Sequence, residues 1–99
     1  MTKDEKYNGY DNYETWLVAL WIDNDEYRQE EVRGIARGQT QIGTLADELK
    51  NYVDERPEIS EATEKYSIVS DLVRSALSEV DWYELAKMYA KEAQEEDEG

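Results

Sequence analysis

The sequence predicts an all-α fold, a small single-domain bundle of four or five helices spanning residues 1–99. Three observations predict it. Apolar residues recur at spacings of three and four along successive stretches, the signature of one helix face. Helix starts are marked by an acceptor side chain followed three residues later by Glu, as at Asp11-Asn12-Tyr13-Glu14 and Asp81-Trp82-Tyr83-Glu84. One Pro and five Gly suit helices joined by short turns, and no segment alternates long enough for a strand. A chain of this length makes one domain, with a radius of gyration of roughly 13 Å and one modest core.

Residues 1–10 are polar around an Asn8-Gly9 turn signal and are expected to form a flexible lead-in, with Tyr7 and Tyr10 as anchors. The first helix follows, with Tyr13, Trp16, Leu17, Leu20 and Trp21 on its stripe. Val18, Ala19 and Ile22 widen that stripe nearly all round, so this helix is expected to be the most buried. Asp23 to Glu26 repeats the capping spacing and opens a second helix to about Arg37, with Tyr27, Val32, Ile35 and Ala36 inward. Gly34 weakens it by roughly 1 kcal/mol against Ala, and Gly38 is its stop. Thr44 is expected to cap a third helix carrying Leu45, Ala46, Leu49, Tyr52 and Val53, ended by Pro57. Ser60 is expected to cap a fourth, with Tyr66, Val69, Leu72, Val73, Ala76, Leu77 and Val80 inward. The fifth starts at Asp81 and buries Trp82, Leu85, Ala86, Tyr89 and Ala93, before an acidic tail, 94–99, that is expected to fray.

Composition narrows the chemistry. The chain has no His and no Cys, which removes the usual neutral-pH base, the thiolate nucleophile and the common ligands of structural zinc. Asp23-Asn24-Asp25 resembles the start of a calcium loop, but Arg28 and Gly34 stand where that loop needs Gly and Glu. Acidic pairs such as Glu30-Glu31 arise readily among 25 acids, and Gly34, Gly38 and Gly43 are too dispersed for a phosphate loop. The expectation is therefore no enzyme, no catalytic residue, no metal and no cofactor. The longest apolar run, Trp16–Ile22, is far below the roughly 20 residues that span a bilayer, and the N-terminus does not read as a signal peptide.

With 25 acidic against 11 basic residues the formal charge is −14, which repels nucleic acid and anionic membranes and favours a protein partner with a basic surface. The excess is spread over every helix. Glu26 with Glu30, and Glu58 with Glu61 and Glu64, form rows three or four residues apart, spaced roughly 5–6 Å at Cβ. Such rows on a rigid body imitate a strand of phosphates. The alternative is that acidity serves solubility or salt adaptation, and that an adaptor or self-associating role falls to an apolar face.

Asn8-Gly9-Tyr10-Asp11-Asn12-Tyr13-Glu14-Thr15-Trp16, continuing through Val18-Ala19-Leu20-Trp21, resembles a family of small proteins of unknown function from bacteriophages, plasmids and other mobile elements. Ala76–Ala86 is similar to a second segment of that family. The resemblance implies a mobile element in the cytoplasm of a prokaryotic host, where small acidic proteins often block restriction or CRISPR systems; it implies no catalytic residue. Within the first segment, Asn12 is explained as a cap, Tyr13, Trp16 and Trp21 as core, and Thr15 by a bond back to the backbone. Asn8, Tyr10 and Glu14 are left without a folding role and join the Glu rows as candidate contact residues.

Overall fold

The computed structural model describes residues 7–64 and 67–98, with side chains as far as Glu95. The chain is all-α, with six helices among the described residues: α1 (Tyr13–Asp23), α2 (Glu26–Gly38), α3 (Ile42–Asp54), α4 (Pro57–Glu64), α5 (Ile68–Ser78) and α6 (Trp82–Glu98). The sixth arises because the single helix expected from Ser60 to Val80 is two. Pro57 does not merely end the preceding helix but opens α4, where its missing N–H has no intrahelical partner to lose. Ser67 then caps α5, its hydroxyl accepting from Ser70 N–H at 3.1 Å. Tyr66, expected on that stripe, lies outside the described residues, as do residues 1–6 of the lead-in.

Two other starts differ from expectation. The cap of α2 is Asp25, not Asp23; its carboxylate accepts from the N–H groups of Tyr27 at 2.8 Å and Arg28 at 3.3 Å. Helix α3 begins at Ile42, two residues before Thr44, behind Gln41, whose side chain makes no cap bond. Asn12 caps α1 as its sequence implies, accepting from Thr15 N–H at 2.8 Å.

Helices α2, α3 and α6 pack on one another and hold most of the core. Leu45, Ala46, Leu49, Tyr52 and Val53 of α3, and Leu85, Ala86, Tyr89 and Ala93 of α6, are all buried, as the three/four spacing requires. Helix α1 lies against α2 and α6. It buries only Thr15, Ala19 and Ile22, so it is not the most buried helix; Tyr13, Leu17 and Leu20 are exposed. An apolar helix needs neighbours on every side to be covered, and α1 has them on one. Tyr27, placed inward on the α2 stripe, is likewise exposed.

Helices α4 and α5 form a hairpin that joins the body mainly through α3. Here the expected burial is met only at the C-terminal end of the stripe, where Val80 is buried and Leu77 packs against the core. The buried residue of α5 is Ser70, whereas Ile68 (75% exposed), Val69 (54%) and Leu72 (63%) face outward. The Ser70 hydroxyl has no hydrogen-bond partner among the described residues. Arg74 donates to the Thr63 carbonyl, tying the two helices together. The radius of gyration, 14.1 Å, slightly exceeds that of a compact chain of this length.

Candidate functional site

Between α1, α4 and α5 runs a groove of about 370 Å³. Its walls are Leu17, Val18 and Trp21 of α1, Ile59 of α4, Val73, Ala76 and Leu77 of α5, with Val53 and Val80 completing it. Its charged lining residues are Glu14 and Glu58. The groove exists because α1, apolar nearly all round, and the amphipathic α5 turn apolar residues toward each other without closing the gap. The spacing that puts Val73, Ala76, Leu77 and Val80 on one face is visible in the sequence; what covers that face is not.

A latch of hydrogen bonds ties the start of α1 to the segment that leads into α6. Asn12 Nδ2 donates to the Glu79 carbonyl at 2.6 Å, Asp81 N–H donates to Thr15 Oγ1 at 2.8 Å, and Asp11 N–H donates to Glu84 Oε1 at 3.0 Å. Thr15 is fully buried, and its hydroxyl also donates to Asn12 Oδ1 at 2.6 Å. It therefore bridges the starts of α1 and α6 rather than bonding back to its own backbone. These contacts join 11–15 to 79–84, the cores of the two segments singled out by resemblance.

The candidate contact residues separate into three places. Glu14 and Glu58 meet at the groove; Glu61 and Glu64 are exposed further along α4. Glu26 and Glu30 are exposed on α2, away from it, and Glu30 lies 3.6 Å from Arg33. Asn8 is exposed in a turn closed by two backbone bonds between Tyr7 and Tyr10, of 2.7 and 2.9 Å, with positive φ at Asn8 (49°) and Gly9 (91°). Tyr10 has a packing role instead of a free surface: half-buried, it donates to Met88 Sδ at 3.2 Å. Tyr7 rests against Tyr13 and Trp16, with ring centroids 5.1 and 5.0 Å away.

Two acidic clusters offer oxygen ligands. Asp11, Asp81 and Glu84 place carboxylate oxygens within 4.8 Å of one another. Their geometry follows from capping: Glu84 N–H donates to Asp81 Oδ1 at 3.0 Å. The hydrogen bond shared with Asp11, and then that N–H, hold the Asp81 carboxyl below its ordinary range. The second cluster surrounds a polar hollow of about 130 Å³ between Asp23, Gln29, Arg33, Tyr89 and Glu92. Burial pushes the Asp23 carboxyl up, against the bond from Tyr89 O–H at 3.2 Å; burial and the Asp23 charge push Glu92 up. Burial and Asp23 raise Tyr89 as well.

The chain belongs to the family of unknown function DUF7249. The match covers residues 3–97, so the latch and the groove lie wholly within it. No curated protein and no solved structure matches the chain. No helix among the described residues is long and apolar enough to cross a membrane.

Proposed function

We propose that the chain is a non-enzymatic acidic binding protein, acting through contact with a basic protein partner. The observation that carries this reading is the groove itself: an open apolar surface whose charged lining is Glu14 and Glu58, on a chain of net charge −14. Apolar contact supplies adhesion, and carboxylates supply long-range attraction that speeds encounter and selects the sign of the partner. Glu61 and Glu64 extend the row of Glu58 along α4, and Glu26 and Glu30 add a second row on α2. In its more specific form the partner is a nucleic-acid-binding or defence protein of a prokaryotic host, met in the cytoplasm by a protein of a mobile element. The carboxylate rows then stand in for phosphates.

The test is affinity capture from a prokaryotic lysate at low and raised salt, followed by competition with duplex DNA. The expected result is recovery of a basic, nucleic-acid-binding protein that is lost as salt rises and displaced by DNA. Recovery of no such protein at low salt overturns the specific form. The exposure of Ile68 and Leu72 favours a second reading, an adaptor or self-associating protein working through its apolar face. In that case capture is nearly indifferent to salt.

A further inference from the structure

We propose that the groove between α1, α4 and α5 receives a single cationic amphipathic helix presented by the partner. This rests on the acidic-binding reading above and specifies the part of the partner that the groove holds.

The apolar surface is larger than the cavity. Ile68, Val69 and Leu72 lie outside the groove lining, yet on α5 Val69 and Leu72 stand four residues before Val73 and Ala76, and Ile68 stands four before Leu72. A small ligand filling the cavity would leave them in water. The hairpin buries a serine whose hydroxyl has no partner among the described residues while exposing Ile68, Val69 and Leu72, an arrangement whose benefit lies in contact with another molecule. The shape is that of a trough between two helices. The 11 residues of α5 span about 16 Å, or about three helical turns. That length suits a docked helix using apolar anchors at i, i+3 or i+4, and i+7.

Charge decides among occupants. A second copy of this chain brings another −14 to a surface already acidic, and an anionic amphiphile meets Glu14 and Glu58 at the wall. A helix whose apolar stripe is flanked by Lys or Arg satisfies both demands. Its aliphatic stems lie along the groove edges while the cationic ends reach the carboxylates.

Three synthetic helical peptides test this, sharing one apolar stripe and differing only in a polar face of Lys, Gln or Glu. Binding to the full chain is read by fluorescence anisotropy. The Lys peptide is expected to bind about tenfold tighter than the Gln peptide, and the Glu peptide weakest. The double variant Leu17→Gln/Leu72→Gln alters exposed positions only and should weaken the Lys peptide by about tenfold, given the cost of losing apolar contact. Glu14→Gln/Glu58→Gln should narrow the gap between Lys and Gln peptides without abolishing either. Equal binding of all three peptides, no binding, or indifference to Leu17→Gln/Leu72→Gln overturns the inference. So does a dimer in sedimentation that this variant dissolves, which assigns the groove to a second copy. If basic proteins are still captured in a salt-dependent way while the peptides fail, the helix inference falls and the acidic-binding reading stands. If neither binds, both fall.

Discussion

At the scale of single residues, Thr15 explains more of the fold than its size suggests. Its fully buried hydroxyl donates to Asn12 Oδ1 and accepts from Asp81 N–H, so one oxygen serves the starts of two helices. Thr15→Val keeps the shape and leaves the Asp81 N–H without its acceptor, a loss worth about 1–3 kcal/mol. A lowered midpoint in urea denaturation is the expected result, with Thr15→Ser restoring most of it; an unchanged midpoint would show the bridge to be dispensable. The capping role of Asn12 was legible in the sequence, because an acceptor before an apolar run has a local purpose. The Asn12–Glu79 and Thr15–Asp81 contacts were not, because a side chain's type does not reveal a partner more than sixty residues away. Glu14 could be singled out as lacking a folding role, and it lines the groove; Tyr10 was singled out on the same ground, and it packs on Met88.

At the scale of elements, periodicity was most informative where neighbours exist on the striped side. The stripes of α3 and α6 are buried because each helix faces the other, whereas the equally regular stripe of α5 has no helix over much of it. A stripe specifies which residues share a face and is silent on what covers it. The division of α4 from α5 is not legible in the sequence for a related reason: the junction near Ser67 has no Gly or Pro to announce it. Helix α2 supplies a direct test of propensity. Gly34 is exposed within it and a Cβ there would meet nothing within 4 Å. Gly34→Ala should therefore stabilise the protein by about 1 kcal/mol, read as a higher melting temperature by circular dichroism; no gain would mean that α2 does not limit stability. At the groove, the same logic made the apolar residues of α1 and α5 look like core.

At the scale of the whole molecule, charge and burial pull stability toward acid. The Asp23 and Glu92 carboxyls are raised in the folded chain. A raised acid binds its proton more tightly when folded than unfolded, so its contribution is present at low pH and lost as pH rises through the folded value. The Asp81 carboxyl is lowered, so its contribution is present above the ordinary carboxylate range and lost as pH falls below it. Stability should accordingly climb as pH falls from neutrality to the mildly acidic range, then drop once Asp81 takes up a proton. In alkali, Tyr52 is pushed up to about 12 by burial and by Glu31, which accepts its O–H at 2.8 Å. Its share of stability is lost as pH rises above the ordinary tyrosine range toward that value. Urea midpoints measured across pH would show this profile, and a maximum at neutral pH would contradict it. The latch between 11–15 and 79–84 carries a further consequence, for synthesis. While a ribosome is still translating the middle of the chain, Asn12 and Thr15 lack their partners on the segment that includes Glu79 and Asp81. Helix α6, against which α2 and α3 bury their apolar faces, has not yet been made. Co-translational folding is therefore confined to fleeting local helices, and the native structure forms in one late, cooperative step after α6 has emerged.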